Sequence, residues 1–328
     1  MGYRAEKEKI EKTIRLIKTA TLCIVVAVLV GLCVFSAFCP PATWKYHVKK
    51  PKVSKRADGE MRIHFLDVGQ GDCSVIELPD GKVALIDGGD AAERTTERVL
   101  RYLNALKIKT IDYLIVTHTD GDHCGALRAV VQQKRVLNAY LPATYPENEG
   151  STYAAFYQEL LEEDCNFTYA ERRVDMSGDG YVFTFLYPYG EDTENPNYYD
   201  GKSSVVWLDY MGTSAIFMGD ETAETETQLM REDEEGLLDI LGVDLSSTEI
   251  VKVGHHGSAY STSLEFLQYL HAGVAVVSCG ANNPYGHPAD EVLRNIEIAG
   301  AGLYRTDKNG TVMISVKEMG GYEVKPVE

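Results

Sequence analysis

The chain has 328 residues, of which 45% are hydrophobic and 25% are charged. These are ordinary values for a globular protein, and they exclude a wholly disordered chain, a collagen-like chain and a protein with many membrane-spanning segments. The 32 basic and 49 acidic residues give a net charge of −17, which argues against nucleic-acid binding through a basic surface alone. A metal site could still attract an anionic substrate locally.

Charge is spread unevenly along the chain. Residues 1–56 carry 12 of the basic residues and 3 of the acidic ones, whereas the remainder carries 20 and 46, a net charge of −26. A basic first part joined to an acidic body indicates two parts in different surroundings.

Residues 20–38 form a run of 19 residues without a charge, long enough to cross the roughly 30 Å hydrocarbon core as a helix. A buried core helix is disfavoured because the run has no polar face. A cleaved signal peptide is disfavoured because the run is long and lacks a clean A-x-A site. We therefore predict an uncleaved transmembrane anchor, followed by a linker at 39–60 that is rich in proline and lysine.

The orientation of this anchor is not settled by charge, because six basic residues lie on each side of it. Exporting a tail with six cations is difficult, which favours residues 1–19 as a cytoplasmic tail. The body, residues 61–328, is then extracytoplasmic, and the protein is a single-pass protein of the cell membrane.

From residue 61 onward, short apolar runs alternate with helical periodicity, which predicts an α/β body with mixed strands. Three runs within 61–89 predict a meander with tight turns. Residues 111–117 are almost continuously apolar, as expected of a strand buried on both faces. Further strands are predicted at 181–188, 204–210, 214–220, 250–254, about 273–278 and 311–316, and helices at 95–106, 125–132, 154–163, 222–231, 262–270 and 289–299.

The densest chemical signal follows the strand at 111–117, where His118, Asp120, Asp122 and His123 occur within six positions. Imidazole and carboxylate together suit zinc, manganese or iron. A turn with helix-capping aspartates is the alternative. Carboxylates and histidines this dense at a buried strand end need a cation to compensate them, so we predict a metal site.

Three later segments add residues of the same types. Asp220 ends an apolar strand, although Gly-Asp at a strand end is common in turns. His255 and His256 follow another apolar strand and precede a glycine, which suggests one imidazole facing metal and one facing substrate. His287 lies in a loop with glycine and proline. His64 alternates with strand residues and is most simply structural.

Taken together, these segments resemble the metallo-β-lactamase fold superfamily, and within it the branch found in the extracytoplasmic domain of ComEC-type competence proteins. The resemblance implies an αββα sandwich, here preceded by one N-terminal transmembrane helix. One anchor helix cannot form the channel of full ComEC proteins, so DNA uptake is not implied. The segments that carry the resemblance are HFLDVGQGDCSVI (64–76), LIDGG (85–89), LIVTHTDGDHCGAL (114–127), FMGD (217–220), VKVGHHGS (251–258) and NPYGHP (283–288).

The resemblance also implies roles for individual residues. The superfamily pattern H-x-H-x-D-H is matched here with Asp120 in place of the second histidine. A further superfamily histidine has no counterpart, because no histidine lies between His123 and His255, which leaves the first metal site one ligand short. By this resemblance, His118 and Asp120 would bind the first metal, Asp122, His123 and His255 would bind the second, and Asp220 would bridge the two. Asp87 would be a carboxylate that orients the ligands. His256 and His287 would contact the substrate or deliver a proton, and together with Asp122 they would form the catalytic group.

The implied activity is that of a metal-dependent hydrolase. One or two divalent ions, zinc or manganese, would activate a hydroxide for attack on a phosphodiester, with DNA as the first candidate substrate. Two alternatives remain open: an extracellular esterase, lactonase or phosphorylcholine-type esterase, and a non-catalytic surface binding module with a degraded metal site. The expected partners are the substrate and the membrane, and no protein partner is inferred.

Overall fold

The computed structural model describes residues 2–38, 40–144, 150–172, 174–188 and 203–327, and the chain divides into two units, Met1–Lys49 and Lys50–Glu328. In the first unit, helix α1 spans Gly2–Phe38 and a 3₁₀ helix spans Pro41–His47. The stretch Glu6–Ala37 is long and apolar enough to cross a membrane, and its apolar window is not buried. The alternative of a buried core helix therefore finds no support in this unit.

The second unit alternates strands and helices, as the periodicity predicts. Its strands are β1 (Met61–Phe65), β2 (Ser74–Glu77), β3 (Val83–Ile86), β4 (Thr110–Ile115), β5 (Arg135–Leu141), β6 (Asn166–Tyr169), β7 (Tyr181–Tyr187), β8 (Val205–Tyr210), β9 (Thr213–Phe217), β10 (Ile250–Lys252), β11 (Val274–Val277), β12 (Gly302–Arg305), β13 (Thr311–Val316) and β14 (Tyr322–Val327). Its helices are α2 (Glu93–Ala105), α3 (Gly121–Cys124), α4 (Leu127–Gln133), α5 (Ser151–Glu162), α6 (Ala223–Glu234), α7 (Leu264–Tyr269), α8 (Asp290–Ala299) and α9 (Thr306–Asn309).

The strands form two mixed sheets. The first has the order β14-β13-β1-β2-β3-β4-β5-β6, and the second has the order β12-β11-β10-β9-β8-β7. The predicted meander of β1, β2 and β3 is antiparallel, whereas β3 to β6 run parallel. In the second sheet β9 to β12 run parallel. Each sheet therefore has a parallel part, in which the carboxyl ends of neighbouring strands meet at one edge.

A hydrophobic core fills the space between the sheets. It combines alternate residues of β1 and β13 with residues of β7, β8 and β9. The rings of Phe65 and Phe217, one from each sheet, stack with centroids 5.9 Å apart. A second apolar cluster lies between the second sheet and helices α6, α7 and α8, while α4 contacts β5, α2 and α5 beside the first sheet. The predicted αββα sandwich is confirmed.

The parallel parts of both sheets deliver the predicted site residues to one place. Strand β4 leads into residues 117–123, β9 leads to Asp220, and β10 leads to His255 and His256. The backbone amide of Ser204, which precedes β8, donates to the carbonyl of Thr117 over 2.9 Å. This bond ties the second sheet to the first at the base of the site.

Candidate metal centre

The turn after β4 presents its side chains in two environments. His118 and His123 are buried, because the apolar strand and helix α3 carry them into the sandwich. Asp120 is the N-cap residue of α3, and its side chain is 73% exposed. Asp122 is partly exposed at 32%. The turn therefore offers two buried imidazoles beneath two carboxylates that solvent can reach.

The second sheet supplies Asp220, His255 and His256 from two neighbouring strands. His255 and His256 both adopt left-handed backbone conformations, with φ of 46° and 55°. Two consecutive non-glycine residues in this region are strained, and such strain persists where the surrounding structure enforces it. The ring of His256 is buried, whereas the side chain of His255 is 41% exposed.

Asp220 contacts the other residues through both carboxylate oxygens. Its Oδ1 lies 3.2 Å from Nε2 of His123 and 3.7 Å from Nε2 of His256. Nε2 of His256 is in turn 3.3 Å from Oδ2 of Asp122 and 3.3 Å from Nε2 of His123. These four residues form one half of the site.

The other half gathers around Oδ2 of Asp220. This oxygen lies 3.8 Å from Nε2 of His118 and 3.6 Å from Nε2 of His255. Nε2 of His118 is also 3.7 Å from Oδ2 of Asp120. Nδ1 of His118 faces the hydroxyls of Thr117 and Ser203 at 3.1 and 3.3 Å, so its Nε2 is the atom directed into the site.

The donor set fits metal ions. Ligand atoms of a tetrahedral zinc ion lie about 3.3–3.6 Å apart, given bond lengths of about 2.0–2.2 Å. Nε2 of His256 lies 3.3 Å from both Asp122 and His123, and the two distances to Oδ1 of Asp220, 3.2 and 3.7 Å, are close to this range. Two imidazole nitrogens that face each other at 3.3 Å need a shared proton or a cation between them. Oδ1 of Asp220 is buried without a hydrogen-bond partner among the described residues. Ligand atoms of Asp72, His123, Asp220 and His256 all lie within 4.8 Å of one another.

The opposite ring nitrogen of His123 is held by Asp87, a residue with φ of 59° at the end of β3. Oδ2 of Asp87 lies 2.9 Å from Nδ1 of His123 and accepts from the Thr117 hydroxyl over 2.7 Å. Its Oδ1 accepts from the Thr117 amide over 2.9 Å. A carboxylate in this position fixes the ring orientation and tautomer of a ligating histidine.

Electrostatics within the cluster favour positive charge on His123 and His256. Burial alone would lower the pKa of His123, but Asp220 and Asp87 outweigh it and hold that pKa well above its usual value. Burial would also lower the pKa of His256, but Asp72 and Asp122 outweigh it and raise that pKa to about 9. Burial would raise the pKa of Asp220, yet the neighbouring imidazoles hold it well below the usual range. The cluster thus attracts cations, whether protons or metal ions.

The family model of the Metallo-beta-lactamase superfamily matches residues 66–281. This range includes residues 118–123, Asp220, His255 and His256. The chain belongs to the metallo-β-lactamase superfamily. It is 30% identical over 286 residues to ComE operon protein 3 of Bacillus subtilis (strain 168), a match that covers 81% of this chain and 34% of that protein. It is 31% identical over 260 residues to competence protein ComA of Neisseria gonorrhoeae, covering 79% and 33%.

The similarity to ComEC-type competence proteins is thereby confirmed, and the chain spans about a third of the length of these relatives. Among solved structures, it resembles the metallo-β-lactamase fold protein YhfI of Bacillus subtilis, with a TM-score of 0.48 and 10% identity, covering 81% of this chain and 99% of that one. Members of the metallo-β-lactamase superfamily have a metal-dependent hydrolase fold, which agrees with the donor set described above.

Within this metallo-β-lactamase fold, the two adjacent histidines face different oxygens of Asp220. The resemblance put His255 with Asp122 and His123, but the structure places His256 there. Nε2 of His255 lies instead 3.6 Å from Oδ2 of Asp220, the oxygen that Nε2 of His118 also faces. Which of these residues bind metal remains a prediction. The group around Oδ2 of Asp220, which the motif comparison left one ligand short, contains the imidazoles of both His118 and His255.

His287 lies at the rim of the site. Its ring contacts that of His255 edge-on, with centroids 5.7 Å apart, and stacks on the exposed Tyr285 at 5.7 Å. Burial and the neighbouring imidazoles of His255 and His256 lower the pKa of His287. His287 is therefore placed next to the metal-site residues, but no carboxylate of the cluster forms an ion pair with it among the described residues.

Four residues of the site were missed by sequence reasoning. Thr117 and Ser203 orient His118, and Asp72 and Lys252 lie behind His256. For Asp72 the signal was its place at the end of the Gly69–Asp72 turn. Lys252 carried a signal as a charge inside an apolar strand. His64, expected to be structural, is buried and contacts the Tyr102 hydroxyl and Glu77.

Proposed function

We propose that this protein is a membrane-anchored, metal-dependent hydrolase that cleaves phosphodiesters. The observation that carries the proposal is the position of Asp220, whose two oxygens face two separate groups of imidazoles and carboxylates. Such a shared carboxylate is suited to a pair of divalent ions, zinc or manganese, and paired ions of this kind serve phosphoryl transfer.

Each half of the site would hold one ion. His118, Asp120, His255 and Oδ2 of Asp220 provide one set of donors. Asp122, His123, His256 and Oδ1 of Asp220 provide the other. When bound, the ions would lower the pKa of a water molecule and offset negative charge on a phosphoryl group.

The remaining chemistry belongs to the side chains around the ions. Asp122 and Asp120 are reachable from solvent, and each can accept a proton from the attacking water. His287 stands next to His255 with a depressed pKa, so it is neutral near pH 7 and can donate a hydrogen bond to a substrate oxygen. Asp87 keeps Nε2 of His123 directed at the site.

The identity of the phosphodiester is a separate question. The net charge of −26 outside residues 1–56 disfavours long polyanions as substrates, which supports a small zwitterionic phosphodiester, such as a phosphorylcholine diester, beside DNA. Two hypotheses compete with phosphodiester cleavage: hydrolysis of a carboxylic ester or lactone, and a non-catalytic module. The non-catalytic module was suggested by the missing histidine. Because Nε2 of His118 and Nε2 of His255 both face Oδ2 of Asp220, that half of the site has a second imidazole within reach, and the missing histidine does not by itself indicate a degraded site.

The activity is tested on the full chain in detergent micelles with added manganese or zinc. The substrate panel contains single-stranded DNA, bis(p-nitrophenyl) phosphate, p-nitrophenyl phosphorylcholine and a p-nitrophenyl carboxylic ester. We expect turnover of at least one phosphodiester. Asp122→Ala and His123→Ala should each reduce it by more than the roughly 10–100-fold loss typical of second-shell changes.

Asp239→Ala is the matched control, because Asp239 is exposed and lies on a 3₁₀ helix away from the cluster. This variant should keep wild-type turnover. A protein that binds metal but hydrolyses nothing in the panel would contradict the proposal, and turnover of the carboxylic ester alone would favour the esterase alternative.

We also propose that residues 1–19 are cytoplasmic, that residues 20–38 span the membrane, and that the linker 39–60 connects them to an extracytoplasmic hydrolase domain at 61–328. The support is one apolar helix of sufficient length and the six cations before its apolar run. Protease added to intact cells should digest the body and leave a fragment of the anchor. A body that becomes sensitive only after lysis would reverse the orientation.

A further inference from the structure

A buried ion pair lies behind the metal-site residues of the second sheet. Nζ of Lys252, the last residue of β10, is 2.5 Å from Oδ2 of Asp72 and also donates to the carbonyl of Val253 over 2.7 Å. Both side chains are almost fully buried, at 3% and 6% exposure. A lysine is seldom buried to this degree, and removing it from water costs several kcal/mol before any compensation.

The second oxygen of Asp72 is directed at His256. Oδ1 lies 3.4 Å from Nδ1 of His256, and it has no hydrogen-bond partner among the described residues. The same Nδ1 is 3.0 Å from the carbonyl of Ser278. The opposite atom of the ring, Nε2, faces Asp122 and His123. Asp72 therefore faces the ring nitrogen of His256 opposite to the one that faces Asp122 and His123, although one of its oxygens also lies within 4.8 Å of ligand atoms of His123 and Asp220.

The backbone of Asp72 is fixed to the same region. Its amide donates to the carbonyl of Asp122 over 3.1 Å, and its carbonyl accepts from the amide of Gly89 over 2.7 Å. A Cβ on Gly71 would lie 2.2 Å from the Asp122 carbonyl, so this close approach requires glycine. The loop between β1 and β2 is thus held against helix α3, which carries Asp122 and His123.

Asp72 repeats the arrangement seen at Asp87. Each carboxylate lies behind one buried histidine, Asp87 behind His123 and Asp72 behind His256, and both border the same small internal cavity, which Lys252 also lines. The charge of Asp87 is balanced by hydrogen bonds from Thr117, whereas the charge of Asp72 is balanced by an ammonium group. Replacing a buried ion pair by apolar residues is often neutral or favourable for stability, so stability alone does not explain this pair.

We propose that Asp72 and Lys252 act as a positioning pair for His256: the lysine occupies Oδ2 of Asp72, which leaves the charge of Oδ1 facing Nδ1 of the imidazole beside the Ser278 carbonyl, with Nε2 directed at a metal ion. The inference rests on the metal site of the proposed function. It assigns Asp72 a place behind the ligands rather than among them, because an ion bound at Oδ2 would lie against the Lys252 ammonium group.

The test uses the full chain in detergent micelles, freed of metal and titrated with manganese or zinc against a competing chelator. Asp72→Asn keeps the shape of the side chain and removes its charge, and Lys252→Met removes the ammonium group. In both variants we expect one of the two stepwise dissociation constants to increase by about 10–100-fold, which means weaker binding of that ion. Two ions should still bind at saturation. The double variant should lose no more than the worse single variant, because the two residues act as one unit.

Lys134→Met is the matched control. Lys134 is also buried, and its Nζ donates to Asn104 and to the carbonyl of Ile108, far from the cluster. This variant should lower the midpoint of thermal unfolding and leave both metal constants unchanged. If Lys252→Met does not fold, Asp72→Asn carries the test, since it introduces no change of volume.

Three results would overturn the inference. Unchanged metal constants in Asp72→Asn and Lys252→Met, with a lower unfolding midpoint, would make the pair purely structural. A saturating stoichiometry that falls from two to one in Asp72→Asn but not in Lys252→Met would make Asp72 a ligand. A wild-type protein that binds no metal would contradict both the proposed function and this inference. That result differs from the first two, which concern the variants and leave metal binding by the wild type intact.

Discussion

The division of the two adjacent histidines between two ions can be tested directly. We expect His256→Asn to weaken the binding of one metal ion and His255→Asn to weaken the binding of the other. The reason is that Nε2 of His256 faces Oδ1 of Asp220, whereas Nε2 of His255 faces Oδ2. Asparagine retains a polar side chain at each position but cannot reach the place of Nε2.

The size of the effect follows from the number of donors in each half. Four donors surround each expected ion, and zinc sites with four protein ligands bind with about 10–16 kcal/mol. An equal share is roughly 3 kcal/mol per donor, which corresponds to a weakening of about a hundredfold. The loss at His256 should be the larger, because this side chain is buried and water replaces it less easily than at the exposed His255.

The assay is a chelator competition on the metal-free full chain, with elemental analysis of the protein after dialysis at low free metal. Each single variant should retain about one ion, and the double variant should retain none. His287→Asn is the control, because its ring contacts His255 without an ion pair to the cluster. If the double variant still retains one ion, both histidines serve the same metal and the assignment fails.

Two further predictions concern stability. Gly71→Ala should lower the unfolding free energy by about 1–3 kcal/mol, because its Cβ would overlap the Asp122 carbonyl. Gly121→Ala, with open space around its Cβ, should not lower it in the same thermal unfolding assay, and equal losses in the two variants would refute the steric reasoning. Burial lowers the pKa of His64 below 6.5, although Glu77 opposes this shift. In the unfolded chain this histidine takes up a proton first as the pH falls below about 6.5, so its own contribution to the unfolding free energy should decrease from pH 8 to pH 5. The raised pKa values of His123 and His256 act in the opposite direction in both proteins, so the measured quantity is the unfolding free energy of the wild type relative to His64→Gln in urea. This difference should decrease over the range, and a difference that does not change with pH would contradict the reasoning.

The sandwich and the positions of the motifs could be read from the sequence because they depend on local patterns. Apolar runs mark β4, β9 and β10, and the residues that follow them include His118, Asp220 and His255. Strands β5, β6, β12 and β14 were not predicted. All four residues of β6 are exposed, and β5 and β14 interrupt their apolar residues with polar ones, so neither gives a continuous signal.

The finer arrangement of the site was beyond local reasoning. The places of His255 and His256 depend on positive φ angles at both residues, which the sequence around them does not specify for non-glycine residues. The contact between Asp72 and Lys252 joins a loop beside the first sheet to the last residue of a strand in the second sheet, and the two are distant along the chain. Only the closing of the sandwich brings them together, so neither residue alone indicated its partner.

The shared carboxylate of Asp220 has a consequence for how the centre fills. In the proposed two-ion centre one rigid group would serve both halves, so an ion at Oδ1 would fix the orientation that a second ion meets at Oδ2, and it would also withdraw electron density from that oxygen. The first effect favours cooperative loading and the second opposes it. The factor by which one ion changes the affinity for its neighbour equals the factor by which the neighbour changes the affinity for the first ion. The two stepwise dissociation constants of the wild-type protein would therefore report which effect prevails.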